Sequence, residues 1–241
     1  MGLTITVPSV VSPSYTATCT TTCTSPASNA LAGLTYPTGW NAVNLGSSTV
    51  NGCTVLGNNT LKMQASSSGG IGGTANDTHY YFNKQFSGNV TIIAKLNNLT
   101  NAGNIQAGLI FKAGLGAKDI FFSIVQDGNN TIGKLHRSVT NDPATIWQFD
   151  TNTPPNVWVK IKKVGNTIQS YYSTAASPSI SNDTGWTEFL PNTFGAAPSM
   201  TWGANFQVGL TLENPPASST PTAQVLFTNI QIDDNGSISN L

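Results

Sequence analysis

The sequence predicts an all-β protein folded as a jelly-roll β-sandwich of two antiparallel sheets. Three observations carry that expectation. Apolar residues alternate with polar ones at a period of two in many short runs, the pattern of strands with one buried face. Turn-forming residues punctuate those runs at short intervals. No window shows the helical period that would place an amphipathic helix.

The best-patterned stretch runs from Asn76 to Val125. Val90, Ile92, Ala94 and Leu96 alternate with polar neighbours, as do Ala107, Leu109 and Phe111, and Ile120, Phe122 and Ile124 form a third apolar face. Between them lie Ser87-Gly88-Asn89, Asn97 to Asn104 and Gly114 to Lys118, all rich in turn formers. Connections this short are expected to join antiparallel neighbours, because parallel strands need a long crossover.

Residues 1 to 33 form a Thr/Ser/Pro-rich lead-in in which Leu3, Ile5 and Val7 alternate before Pro8. Such a composition cannot build a core of its own. It is expected to be an extended N-terminal arm or edge strand, available to add to a neighbouring subunit's sheet. The sandwich is then expected over residues 34 to 241. Asn58-Asn59 punctuates two short strands, Cys53 to Leu56 and Leu61 to Ala65. The glycines of SSSGGIGGTANDT lack the strand, helix and lysine of a phosphate-binding loop and read as a sandwich-edge loop.

After Val125, Asp127-Gly128-Asn129-Asn130 is a turn and Ile132 to Val139 a strand. VWVKIKKVGNTIQSYYST reads as a hairpin turning at Gly165-Asn166, with Val157, Val159 and Ile161 on one face. SISNDTGWTEFL gives a turn and a short strand. The last strands are Phe206 to Leu212 and Ala223 to Ile232.

Composition excludes several functions. Net charge is zero, 8% of residues are charged and Arg137 is the one arginine, so there is no basic face for nucleic acid. Lys160 and Lys162 share one strand face, read as a solvated sheet surface. No stretch has the ~20 apolar residues of a membrane span. The N-terminus lacks the basic start and apolar run of a signal peptide. Cys19, Cys23 and Cys53 are too few for a disulfide framework, and two histidines without a Cys-x-x-Cys pair argue against zinc.

The order GGTANDTHYYF, FSGNVTIIAKLNNLTN, QAGLIFKAGLGA, DIFFSIV, WVKIKKVGNTIQSYYS, GWTEF, FQVGLTL and AQVLFTNIQI resembles the DUF1349-type concanavalin A-like domains, relatives of laminin-G and legume-lectin jelly rolls. The likeness spans Leu34 to Asp233. It implies two facing antiparallel sheets and the possibility of glycan binding.

Related sandwiches include retaining β-glucanases, whose paired carboxylates sit two and four residues apart on one strand. No Glu-x-Asp-x-Glu pattern occurs here, and Glu188 and Glu213 stand alone. The chain is therefore expected not to be an enzyme. Glycan stacking would use aromatic rings, and Trp147, Trp202, Trp40 and Tyr171 are the candidates, whereas Trp158 reads as framework. Calcium is conceivable at Asp77, Asp127 and Asn129. Seven Asn-x-Ser/Thr triplets occur, about what chance gives in so Asn- and Thr-rich a chain. The expected setting is the surface of an assembly, a phage or other virion decoration, fibre or appendage subunit held through the arm, with glycans as a second partner. The alternatives are a carbohydrate-binding module of a secreted bacterial enzyme or adhesin, and an extracellular filament subunit.

Overall fold

The computed structural model describes residues 36–46, 52–57, 59–66, 70–71, 77–100, 104–146, 154–189, 200–214 and 222–241. The expected arm, the glycine loop between residues 72 and 76, Cys19, Cys23 and Trp147 lie outside them.

The described residues form strands and turns without helices. In chain order the strands are β1 (Asn41–Leu45), β2 (Gly52–Gly57), β3 (Thr60–Ser66), β4 (His79–Ser87), β5 (Val90–Asn97), β6 (Gln106–Lys112), β7 (Phe121–Asp127), β8 (Ile132–Arg137), β9 (Thr145–Ile146), β10 (Trp158–Val164), β11 (Thr167–Ser173), β12 (Thr187–Glu188), β13 (Asn205–Glu213), β14 (Thr222–Asp234) and β15 (Ser237–Asn240). Two antiparallel sheets result, a jelly-roll sandwich as expected. The seven-stranded sheet runs β1-β4-β13-β6-β7-β8-β9, and the eight-stranded sheet β12-β11-β10-β5-β14-β3-β2 with β15 beside β14.

The alternation predicted from sequence faces the core between the sheets. Val90, Ile92, Ala94 and Leu96 of β5 pack there with Ala107, Leu109 and Phe111 of β6, Val159 and Ile161 of β10, and Val208, Leu210 and Leu212 of β13. The β10–β11 hairpin turns at Gly165, which sits at φ 58. Among the described residues asparagines take the left-handed positions that glycines do not, among them Asn59, Asn98, Asn130 and Asn235, as their short polar side chains allow.

One expectation is corrected. Neither the turn Ser87-Gly88-Asn89 nor the segment Asn97 to Asn104 joins sheet neighbours: β4 and β6 lie in the seven-stranded sheet and β5, between them in the chain, in the eight-stranded one. Phe86 and Val90 on either side of the turn both enter the inter-sheet core, so the chain arches from one sheet to the other. Short length does require antiparallel direction, but it leaves open whether the second strand hydrogen-bonds to the first or packs on it.

The outer face of the seven-stranded sheet is not bare. Leu45, Ile71, Tyr81, Ile110, Phe121, Val125 and Leu135 form a second apolar cluster there. Loops fold back over it, with Gly70 bridged to Thr78 and Asp77 N–H donating to Ala117 O at 2.9 Å. The glycines beneath are required by close approach: a Cβ on Gly209 would stand 1.9 Å from Phe82 O, and one on Gly108 2.0 Å from Ile124 O.

Candidate functional site

Two places concentrate polar chemistry. The first is that roofed outer face. Asp77, just before β4, accepts two hydrogen bonds from Arg137 at the end of β8, Nη1 to Oδ2 at 2.6 Å and Nη2 to Oδ1 at 2.7 Å. Lys112 Nζ at the end of β6 adds a third, 3.2 Å from Oδ2, and all three side chains are fully buried. Arg137 also donates from Nε to Asp142 O at 2.7 Å. Both cations lie 5.2 Å from the ring centre of Phe121. Burial lowers the Lys112 pKa, against the pull of Asp77.

Glu213 lies at the end of β13 on the same face, buried, and accepts a hydrogen bond from the Ile71 N–H. Burial and then the charge of Asp77 push its carboxyl up to about 8, although the Ile71 N–H opposes the shift. Glu213 is therefore protonated at neutral pH. His79 is held neutral, first by burial and then by the charge of Lys112. A protonated carboxyl near an ionised one is the electrostatic signature of an acid–base pair. Neither group meets solvent, however, and both oxygens of Asp77 are committed to Arg137, so no nucleophile is presented.

The second place is the outer face of the eight-stranded sheet, where residues 174–186 fold over β10 and β11. Lys160 Nζ sits 4.6 Å from the ring centres of both Tyr171 and Trp186. It is anchored by Asp183 Oδ1 at 2.5 Å and Asn182 O at 3.1 Å. Lys162 reaches Asp183 Oδ2 at 3.2 Å. Burial alone would raise the Asp183 pKa, but the bonds from the two lysines outweigh it and lower it. Trp186 is half-buried on Ile93, Trp158 and Ile180, and its Nε1 donates to Ser179 O at 2.7 Å. The reading of Lys160 as a solvated side chain is thus corrected: it is buried between two rings.

The stacking candidates fare unevenly. Trp40 is buried and stacks on Phe82, centroids 4.9 Å apart. Trp202 is buried in the inter-sheet core, 5.8 Å from Phe206. Tyr171 is buried against Lys160, and burial pushes its hydroxyl up to about 12. None of these three rings is presented at the surface; each fills space that a sandwich of this size must close. Trp158 is framework, as read. The described tryptophan that keeps part of its ring outside is Trp186.

The calcium candidates also part company. Asp77 is saturated by cations. Asp127 Oδ1 accepts the N–H groups of Asn129 at 2.9 Å and Thr131 at 2.8 Å, an Asx turn closing the β7–β8 hairpin. Among the described residues no group of three or more His, Cys, Asp or Glu could hold a metal ion. Sequence reading missed the buried ion pair because its members lie 60 residues apart; the uniqueness of Arg137 was the available signal.

No protein-family model matches the chain, so the narrower DUF1349 likeness has no such match behind it, and no curated protein matches either. Solved structures do. A functionally unknown protein from Saccharomyces cerevisiae superposes with TM-score 0.60 at 10% identity, over 84% of this chain and 97% of its own. A prokaryotic β-1,3-1,4-glucanase (lichenase) from a mouse hindgut metagenome gives TM-score 0.50 at 9% identity, over 82% and 94%. A carbohydrate-binding module from Bacillus subtilis gives 0.49 at 13%, over 80% and 94%. At these identities the likeness establishes the concanavalin A-like jelly-roll fold.

Proposed function

We propose that this chain is a non-catalytic carbohydrate-binding β-sandwich whose platform is Trp186. The observation that carries the reading is the way that ring is held. It is pinned by Ser179, backed by Lys160 and packed on Trp158, yet it keeps part of its surface open. A rigid aromatic ring beside hydrogen-bonding side chains is what a pyranose face requires, and pre-organisation lowers the cost of binding. Asp183, Lys162, Gln169 and Glu188 supply the polar rim, and Gln169 Nε2 already donates to Glu188 Oε1 at 2.9 Å. The shared sandwich with a β-glucanase is consistent with polysaccharide as the ligand class. The locked Asp77 and protonated, buried Glu213 support binding without hydrolysis.

The reading is tested by titrating soluble β-glucans and a glycan array with the wild type, Trp186→Ala and Trp147→Ala. Binding that disappears in Trp186→Ala is expected; equal binding by wild type and Trp186→Ala would remove the platform. Release of reducing ends from β-1,3-1,4-glucan would overturn the non-catalytic part. Display on a virion or appendage, or secretion as a module, are proposals about setting, and the genes beside the coding sequence decide between them.

A further inference from the structure

Independently of the glycan reading, one row of side chains on the roofed face of the seven-stranded sheet has bonding capacity that the fold does not use. We propose that His79, Glu213 and Gln106 form a binding site for a single divalent transition-metal ion.

The three residues occupy one row across the adjacent strands β4, β13 and β6. Tyr80 pairs with Leu212, so His79 and Glu213 take the next position of the ladder, and Glu213 pairs directly with Gln106. Their chain neighbours Tyr80, Leu212 and Ala107 point into the inter-sheet core, which turns all three to the opposite face. Side chains directly opposite on neighbouring strands stand about 5 Å apart at Cβ. An imidazole, a carboxyl and an amide so placed can converge on one point above β13.

Their hydrogen bonding leaves that point unserved. Both ring nitrogens of His79 and the Oε1 of Gln106 are buried without a partner. Buried polar atoms in folded proteins are nearly always paired, and two unpaired groups flanking a third buried polar one mark a place where something belongs. A neutral imidazole offers a free lone pair. Glu213 is oriented by the Ile71 N–H on Oε2, the kind of outer contact that fixes a metal-binding carboxylate. A donor set of one imidazole nitrogen and two oxygens suits Zn²⁺ or Mn²⁺ better than Ca²⁺, which prefers oxygen throughout. Lys112, near enough to disfavour positive charge on His79, limits the affinity, while Asp77 works in the other direction. Histidine and cysteine spacing along the chain could not reveal such a site, because the strand register assembles it.

The test uses the full chain freed of metal with a chelator, then titrated with Zn²⁺ and Mn²⁺ by calorimetry in buffers of different ionisation enthalpy, with Ca²⁺ as comparison. One ion per chain and a raised melting temperature are expected. His79→Ala should lose binding. Because that variant opens a buried site, the half-buried Gln106 supplies two further tests: Gln106→Ala should weaken binding, and Gln106→Glu should tighten it roughly tenfold or more by adding a charged ligand. Absence of saturable binding by either ion would overturn the proposal and leave ordered water as the occupant. Binding indifferent to both Gln106 variants would overturn it equally.

Discussion

Arg137 and Asp77 meet as a buried bidentate ion pair that joins diagonal corners of the seven-stranded sheet. Asp77 precedes β4 at the end of the sheet where Tyr80 pairs with Leu212 and Leu212 with Ala107, whereas Arg137 closes the opposite end, paired with Phe121 and through it with Lys112. In a flat sheet these corners would be far apart. The roof brings them together, since Asp77 N–H donates to Ala117 O in the segment between β6 and β7, and the ion pair fastens them over the outer face.

Breaking this clasp by removing one partner should therefore be costly. Asp77→Asn leaves the Arg137 and Lys112 cations buried and uncompensated, and about 3–5 kcal/mol of stability should be lost, whereas Arg137→Met leaves Asp77 paired with Lys112 and should cost less. The double variant Asp77→Leu/Arg137→Met leaves Lys112 as one buried cation where Asp77→Asn leaves two, and should lose less than Asp77→Asn. Urea denaturation of the three proteins measures this. Additive losses in the double variant would mean that the two residues are not coupled.

Glu213 should make the protein lose stability as pH rises. Its folded-state value, about 8, stands above the ordinary 4.5. Below pH 4.5 the carboxyl is protonated folded or unfolded and contributes no penalty. Between 4.5 and 8 the unfolded chain ionises while the fold keeps the proton, so the penalty grows by about 1.4 kcal/mol per pH unit. It levels off above 8. His79 and His136 act in the other sense below their ordinary 6.5, as burial lowers both. Comparison of the wild type with Glu213→Gln between pH 6.5 and 8 isolates the Glu213 share of the slope from that of Lys112 and the histidines. Glu213→Gln keeps an acceptor for Ile71 and should flatten the slope there; unchanged slopes would show that Glu213 already ionises freely in the fold.

Much of the scaffold was legible because burial of one sheet face imposes period two, and asparagine and glycine mark left-handed turns. Val90 to Leu96 and the hairpin at Gly165 behave as their sequence predicts. Sheet membership was not legible, since the arch from Phe86 to Val90 carries the same local signals as a hairpin. The candidate site was least legible. A surface tryptophan and a core tryptophan look alike in sequence, and Trp40 and Trp202 turned out to close the core. Asp77 and Glu213 acquired their properties from partners on other strands.

Gly108 and Gly209 should tolerate no side chain. Each lies mid-strand on the outer face, and an added Cβ would stand about 2 Å from the backbone oxygen of the neighbouring strand. Backbone cannot retreat as a flexible side chain can. Gly209→Ala should cost more than about 3 kcal/mol, beyond ordinary overpacking, and Gly57→Ala, with open space around it at the end of β2, serves as a contrast. The readout is the denaturation midpoint of each variant; a wild-type midpoint in Gly209→Ala would show that β4 and β13 can separate at this point.

The tryptophans should separate stability from binding. Trp202 is buried against Phe206, so Trp202→Ala opens a large cavity between the sheets and should cost about 3–5 kcal/mol. Trp186 keeps part of its ring in solvent and closes a smaller satellite cluster with Ile93, Trp158 and Ile180. Its removal also uncovers Lys160, whose ammonium can then hydrate while Asp183 still holds it. Trp186→Ala should therefore lose under about 2 kcal/mol yet abolish glycan binding. Melting curves read alongside glucan titrations distinguish the two roles. A Trp186→Ala protein as unstable as Trp202→Ala would make the ring a core residue, and the platform would have to be sought elsewhere on the molecule.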